Sequence, residues 1–181
     1  MTTQVLVALA AAVLGAAVAP EGSPEQFTAA AITRTGHLEF EGAMATIFDL
    51  FTPQGERHWA KGWDPEVLYP RDRDISEGMV FRTRDHGDMV LTWTVVRYDP
   101  THHLVAYNVV APDFVVRNIE VRCRPAGAGR VEVEVTDSYV GLSRHGNLFV
   151  EQLTEANYAA KMGHWKEAIG AYLVGVAKSA H

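Results

Sequence analysis

Residues 119–136 read IEVRCRPAGAGRVEVEVT, and this stretch decides the fold because it holds two alternating segments joined by a glycine-rich turn. In both segments every second side chain is apolar and the side chains between are charged or polar, which is typical of strands with one buried face. The loop 125–129 supplies the glycines that a chain reversal requires. If the reversal centres on Gly127, Arg122 lies opposite Glu132 on the solvent face as a favourable cross-strand pair. The stretch therefore predicts an antiparallel hairpin.

Turn residues divide the chain before this hairpin into further strands. Glycine, proline and aspartate cluster where the backbone must reverse, and the segments between these clusters alternate in polarity. Consecutive strands joined by short turns predict an antiparallel meander. The predicted strands lie at about 32–41, 65–69, 78–85, 88–98, 102–111, 114–124 and 130–141.

Two short helices are predicted between the first and second strands. Apolar residues at helical spacing cover 43–51, and Pro53 ends that helix because the residue before a proline is biased away from helical angles. A second helix over 53–61 begins with Thr52 as its N-cap and Pro53 at its first position. Glu56 in its first turn complements the helix dipole, so a structural role is expected for this carboxylate.

A long amphipathic helix is predicted at the carboxyl end of the chain, from residue 148 to about 177. Apolar side chains recur along it at helical spacing and form one continuous face. Gly163 and Gly170 lie inside the helix, where each costs roughly 1 kcal/mol relative to alanine. We therefore expect them to mark a bend or a close approach to the structure beneath the helix.

The composition is that of a globular protein and excludes several classes. The 181 residues are 48% hydrophobic and 21% charged, close to the average for one folded domain, which we place at 32–181. A net charge of −6 without a run of lysine or arginine argues against a nucleic-acid partner. The single cysteine, Cys123, excludes an internal disulfide, and its place in an alternating strand predicts a buried, inert thiol.

The chain carries no motif for a metal or a cofactor. Its eight histidines include no HExxH or HxH spacing, and His102 and His103 at the start of a strand point to opposite faces. The chain also lacks GxGxxG, GxxxxGKS/T and GxSxG, which mark dinucleotide sites, P-loops and serine hydrolases. We therefore expect neither a metal site nor a cofactor.

Residues 1–31 are predicted to be an apolar extension followed by a linker. Positions 5–19 read VLVALAAAVLGAAVA, which is short for a bilayer span and has the length of a signal-peptide core. The preceding residues MTTQ lack the lysine or arginine of a signal peptide, so the other interpretation is an alanine-rich helix that packs on the domain or on another subunit. We expect a cytoplasmic protein without an integral membrane span, and export through this segment is the alternative.

Several short motifs accompany this order of elements. They are Phe51-Thr52-Pro53, Gly55-Glu56-Arg57, Gly62-Trp63-Asp64-Pro65-Glu66, Thr92-Trp93, Tyr98-Asp99-Pro100, Tyr139-Val140-Gly141-Leu142-Ser143 and Gly146-Asn147. Together with the order strand, two helices, six strands and long helix, they resemble the helix-grip fold of the START-like (SRPBCC) superfamily, and within it the bacterial polyketide cyclase/dehydrase-like proteins. The resemblance covers about residues 34–173. It implies an α+β fold in which a curved seven-stranded antiparallel sheet surrounds the C-terminal helix.

A sheet that curves around one amphipathic helix leaves space for an apolar ligand between the two. The predicted partner is therefore a small apolar or aromatic molecule, and association as a homodimer is a further possibility. Trp59 and Trp63 lie beside His58 and ionisable residues, and they are either core side chains or walls of the pocket entrance. The candidate ligand-binding residues are His58, Trp59, Trp63, Trp93, Tyr107, Tyr139, Tyr158 and Trp165.

Three functions are consistent with this fold. The first is binding of a small hydrophobic or aromatic ligand, which requires an internal, largely apolar cavity of at least roughly a few hundred Å3. The second is a cyclase, dehydratase or lyase, which requires a cavity-facing ionisable group with a perturbed pKa. The candidates for that group are Tyr107, Tyr139, His145 and Tyr158. Glu56 and His58 point to different sides of their helix and are not expected to form an acid/base pair. The third function is that of a co-chaperone-like interaction protein.

Overall fold

The computed structural model describes residues 26–71, 74–84 and 89–179. The apolar stretch 5–19, with its two interpretations, lies outside the described residues. Of the helices described, none is both long and apolar enough to cross a membrane. The elements are β1 (Ala31–Glu41), α1 (Met44–Asp49), a 3₁₀ helix (Gly55–His58), β2 (Glu66–Tyr69), β3 (Val80–Arg84), β4 (Val90–Asp99), β5 (Leu104–Ala111), β6 (Val115–Pro125), β7 (Arg130–Gly141), α2 (Arg144–Glu151) and α3 (Glu155–Ser179).

The strands form one seven-stranded sheet in the order β1-β7-β6-β5-β4-β3-β2, with every neighbouring pair antiparallel. This confirms the predicted α+β architecture, in which two short helices follow β1 and a long helix ends the chain. Alternating burial along β7 follows its sequence, since Val131, Val133 and Val135 are buried and the residues between them are partly exposed. A register shift between Val95 and Arg97 of β4 contributes curvature, because a bulge bends its strand.

The hairpin of β6 and β7 forms, but its register differs from the expected one. Arg122 pairs with Glu134 and not with Glu132, because the chain reverses about position 128. Residues 127–129 all take positive φ, a conformation that glycine adopts readily at two of the three positions. The pairing moves by two residues, so the same side chains face the core as predicted.

The predicted single helix over 148–177 consists of two helices, α2 and α3. Each begins at its own hydroxyl cap. The Oγ of Ser143 accepts a hydrogen bond of 3.1 Å from the Gly146 backbone N–H, and the Oγ1 of Thr154 accepts one of 3.2 Å from the Asn157 backbone N–H. Because such a cap satisfies the free N–H groups of a helix start, Thr154 begins α3 after α2 has ended.

The close approach between the long helix and the sheet occurs at a glycine of the sheet. A Cβ added to Gly36 of β1 would come within 2.6 Å of the Met162 Cγ on α3. At Gly163 and Gly170 of α3, an added Cβ would meet no described atom within 4 Å outside the helix backbone. The close approach expected at the helix glycines is therefore wrong, because these two positions face open space.

Two hydrophobic clusters fill the interior. The larger lies between the sheet, α1 and α3, and the smaller lies beneath α2. On the inward face of β6, Val115 belongs to the smaller cluster and Ile119 to the larger, while on β7 the division falls between Tyr139 and Val135. One inward-facing position on each of these two strands therefore lies at the boundary between the clusters.

Candidate functional site

A cavity of about 250 Å3 lies between the concave face of the sheet, α3 and the segment after α1. Strands β3 to β6 form one wall, and the 3₁₀ helix with the turn that follows it forms another. Five of the eight residues predicted from the sequence line this cavity together with four charged residues, Glu56, Lys61, Arg84 and Arg117. The lining includes Glu56, Trp59, Trp63, Trp93, Tyr107, Arg117 and Trp165.

The indoles of the segment after α1 are anchored through their nitrogen atoms. Trp59 Nε1 donates a hydrogen bond of 2.7 Å to the Leu50 carbonyl oxygen, and Trp63 Nε1 donates one of 2.8 Å to the Pro53 carbonyl oxygen. Since a buried indole N–H requires an acceptor, these bonds set the orientation of both rings. The apolar ring surfaces are left to line the cavity.

The aromatic rings on the sheet are held in the same way. Trp93 Nε1 donates a hydrogen bond of 2.8 Å to the Thr83 Oγ1, and the Tyr107 hydroxyl donates one of 2.8 Å to the Phe51 carbonyl oxygen. Trp93 packs edge to face against Trp63, with ring centroids 5.1 Å apart. Rigid rings whose polar atoms are already satisfied form a preformed apolar wall.

Three of the eight predicted residues lie outside the cavity lining. His58 stacks on Tyr172 of α3, with ring centroids 4.9 Å apart, whereas Glu56 two residues earlier lines the cavity. Tyr158 is buried against β7, where its hydroxyl donates a hydrogen bond of 3.1 Å to the Val135 carbonyl oxygen. Tyr139 belongs to the smaller hydrophobic cluster. These three side chains fill or cover the core because their strand and helix positions direct them past the cavity.

His145 also lies away from the cavity. It is near the start of α2, where its ring packs on Phe114 with centroids 5.0 Å apart. Of the four side chains considered for an enzyme from the sequence, Tyr107 alone lines the cavity. Burial and the nearby Glu56 raise the pKa of Tyr107 well above its usual range, so this phenol stays protonated.

A buried charge network occupies the boundary between the two hydrophobic clusters. Asp137 of β7 has no exposed surface, and its Oδ1 accepts a hydrogen bond of 2.8 Å from Arg117 Nε of β6. Its Oδ2 accepts one of 2.6 Å from Lys161 Nζ of α3. Burial alone would raise the pKa of the Asp137 carboxyl, but the two cations outweigh it and hold that pKa below its usual range.

Arg117 has donor capacity that the protein does not use. Its Nη2 lies 2.6 Å from Asp137 Oδ1, but its N–H bonds are not directed at this oxygen. Within the described part of the chain, Nη2 has no hydrogen-bond partner although it is fully buried. Buried polar groups without a partner are uncommon in native proteins, and Arg117 lines the cavity.

Glu56 is the acid of the cavity wall. Burial raises the pKa of its carboxyl to about 8, although Arg117 and Lys161 act in the opposite direction. The carboxyl makes no hydrogen bond to any described residue. The expected structural role at the helix start does not account for a carboxyl desolvated at the cavity. A group with such a pKa exchanges its proton near neutral pH.

Lys161 is the second group with a pKa near neutrality. Burial and the neighbouring Arg117 lower the pKa of its ammonium to about 8, against the opposing effect of Asp137. The ammonium also lies 4.9 Å from the ring centroids of both Tyr158 and Trp165. The site thus combines an acid and a base whose pKa values have moved towards each other.

Arg117, Asp137 and Lys161 were not predicted from the sequence as site residues, although the sequence carries a signal for the first two. Arg117 shares the inward parity of Ile119 on its strand, and Asp137 shares that of Val135. Opposite charges on the buried faces of adjacent strands indicate an internal ion pair. No comparable signal marked Lys161, because charged residues are frequent on helices.

A second hollow and a possible metal site were also considered as places for a ligand. A hollow of about 520 Å3 runs between β1 and α3, but Thr33, Thr35 and His37 on its rim are exposed, so it is an open groove. Across the described ranges, no group of three histidine, cysteine, aspartate or glutamate side chains is arranged to hold a metal ion. The cavity lined by four indoles and Tyr107 is therefore the candidate site.

A protein-family model matches most of the chain. The model described as "Polyketide cyclase / dehydrase and lipid transport" matches residues 30–170. No curated protein matches the chain in sequence.

Solved structures share the fold at low sequence identity. Norcoclaurine synthase from Thalictrum flavum, in complex with dopamine and hydroxybenzaldehyde, has a TM-score of 0.59 and 14% identity over 81% of this chain and 88% of that chain. A hypothetical protein, jhp0584, from Helicobacter pylori has a TM-score of 0.60 and 11% identity over 78% and 87%. The Zhui aromatase/cyclase from Streptomyces sp. R1128 has a TM-score of 0.52 and 17% identity over 76% and 91%. At these identities the similarity is one of fold.

Proposed function

Because the chain belongs to the polyketide cyclase/dehydrase and lipid transport family, we propose that it binds a small hydrophobic or aromatic molecule in the cavity between its sheet and α3. The observation that carries this proposal is the aromatic wall. Four indoles and Tyr107 line the cavity, and hydrogen bonds to the protein already satisfy the polar atoms of Trp59, Trp63, Trp93 and Tyr107.

The size of the cavity favours a compact ligand. Its volume of about 250 Å3 is near the lower limit of small-molecule pockets, which measure roughly 300–1,000 Å3. A flat molecule of one or two rings can stack against the indoles, whereas a long acyl chain exceeds this space. The structural neighbour norcoclaurine synthase, seen with dopamine and hydroxybenzaldehyde, offers a parallel for small aromatic ligands in this fold.

Isothermal titration calorimetry with 2-naphthamide, a neutral two-ring probe, tests the proposal. We expect saturable 1:1 binding to the wild-type protein. Ala60→Phe places a ring in the cavity and should weaken binding at least tenfold. Ala159→Phe, the same change in the open groove beside β1, is the matched control and should bind as the wild type does. Failure of the wild type to bind, or equal binding by Ala60→Phe, would contradict the proposal.

A second candidate function is an enzyme that moves a proton on a bound carbonyl compound. It is favoured by Glu56, a cavity carboxyl whose pKa is raised to about 8 by burial. In this reaction the Glu56 carboxylate removes a proton from the carbon next to a carbonyl group, and Arg117 donates a hydrogen bond to the enolate oxygen. Such a step is a component of cyclisation and dehydration, and one structural neighbour is an aromatase/cyclase.

Proton exchange at carbon measures this activity directly. We expect the wild type to accelerate exchange of the C2 protons of 1-indanone with deuterium oxide, followed by NMR, with a rate that rises between pH 7 and pH 9 as Glu56 ionises. Glu56→Gln should abolish the acceleration, while Glu167→Gln on the exposed side of α3 should keep it. Acceleration that persists in Glu56→Gln would exclude Glu56 as the base.

A further inference from the structure

Two cations share one carboxylate where the cavity meets the charge network. Asp137 accepts hydrogen bonds from both Arg117 and Lys161. The second acid, Glu56, forms no ion pair with either cation. Because its pKa of about 8 keeps Glu56 mostly protonated at pH 7, the four groups together carry about one unbalanced positive charge.

The side chain of Arg117 lines the space that a ligand would occupy. Nη2 of Arg117 is buried and finds no acceptor among the described residues, although its side chain lines the cavity. Ile119 and Val121, at the next inward positions of β6, line the same cavity and offer no acceptor side chain. The cavity therefore combines aromatic walls with one cationic wall.

We propose that the ligand is an aromatic acid with one negative charge, whose carboxylate, or equally acidic enol or phenol, binds the guanidinium of Arg117 while its rings lie against the indoles. This inference rests on the proposed binding function and specifies its ligand class. An anion supplies the missing acceptor and balances the excess charge in one contact, and charge-assisted hydrogen bonds of this kind are stronger than neutral ones. A neutral ligand leaves the excess positive charge of this network unbalanced.

A comparison of two nearly isosteric probes tests the charge requirement in the wild-type protein. Calorimetric titration at pH 7.0 with 2-naphthoate and with 2-naphthamide measures the two affinities. We expect the naphthoate to bind at least tenfold more tightly. Equal affinities would overturn the inference and leave the proposed function standing. Binding of neither probe would overturn both.

Substitution of Arg117 tests the named contact. Arg117→Gln removes the charge, so the preference for naphthoate should disappear while naphthamide still binds. Arg117→Lys keeps the charge and should retain most of the preference. Arg122→Gln removes a partly exposed arginine outside the cavity from the same strand and is the matched control. A naphthoate preference that survives in Arg117→Gln overturns the assignment. If that variant does not fold, the wild-type comparison of the two probes decides the charge requirement.

Discussion

Lys161 of α3 donates a hydrogen bond of 2.6 Å to Oδ2 of Asp137 on β7, and this bond joins the long helix to the sheet within the interior. The Asp137 side chain is fully buried, and that of Lys161 is 26% exposed. Arg117 of β6 holds the other oxygen of the same carboxylate. One buried carboxylate therefore links two adjacent strands and the helix that covers them.

Removal of the Asp137 charge should destabilise the fold. Asp137→Asn leaves two buried cations without their shared counter-ion, and breaking a buried ion pair costs about 3–5 kcal/mol of unfolding free energy. Urea denaturation followed by circular dichroism measures this loss. The control is Asp64→Asn, which breaks the exposed ion pair with Arg57 and should cost less than about 1 kcal/mol. Similar losses in the two variants would contradict a structural role for the network.

Glu56 should make the protein less stable as the pH rises. Its pKa is about 8 in the folded protein and 4.5 as a model group, so between these values the folded protein retains a proton that the unfolded chain has released. The unfolding free energy attributable to Glu56 therefore falls from about pH 5 to pH 8. The glutamine of Glu56→Gln does not titrate in this range. The unfolding free energy of this variant should therefore exceed that of the wild type at pH 8 by an amount on the order of 2 kcal/mol, with little difference at pH 5.

Urea denaturation of both proteins at intervals between pH 5 and pH 8 measures that difference. The measurements end at pH 8 because the pKa of Lys161 is also about 8, below its ordinary value of 10.5. Above pH 8 the unfolded chain holds the lysine proton that the folded protein has lost, so stability changes in the opposite direction. Parallel pH profiles for wild type and Glu56→Gln would show that the carboxyl is not desolvated.

Two glycine-to-alanine substitutions should have opposite effects. An added Cβ at Gly146 of α2 would overlap the Phe114 carbonyl oxygen, a backbone atom that cannot rotate away. Gly146→Ala should therefore lower the unfolding free energy by about 3 kcal/mol. At Gly163 an added Cβ meets no described atom within 4 Å. Gly163→Ala should therefore raise the unfolding free energy by up to about 1 kcal/mol, because alanine has a higher helix propensity than glycine. Thermal unfolding of the two variants compares them, and a loss in Gly163→Ala would indicate an unrecognised contact.

Cys123 should be inert in the folded protein. It is 3% exposed, and burial raises the pKa of its thiol to about 12, so almost no thiolate exists at pH 8. Reaction with Ellman's reagent at pH 8 should be slow in buffer and fast and stoichiometric in 6 M guanidinium chloride, because unfolding exposes the thiol. Rapid labelling of the native protein would show that β6 opens readily.

The predictions from sequence were accurate where the controlling interactions are local. The strand predicted at 130–141 matches β7, because an alternating pattern bounded by turn residues reports both the strand and its buried face. The register of that hairpin was wrong by two positions, because positive φ at residues 127–129 places the reversal one residue later. The break between α2 and α3 was not predicted from the sequence, because Thr154 caps α3 only when the backbone turns at that residue.

The sequence by itself determined the order of the seven strands, the inward faces of β6 and β7 and the presence of aromatic residues near a pocket, because periodicity and turn chemistry act over a few residues. Only the tertiary structure decided that Glu56, Arg117, Asp137 and Lys161, from four separate segments, meet beside one cavity. Their pKa values depend on burial and on neighbours far away in the chain. The Glu56 carboxyl was expected from the sequence to complement a helix dipole. In the folded protein it lines the cavity, where desolvation raises its pKa.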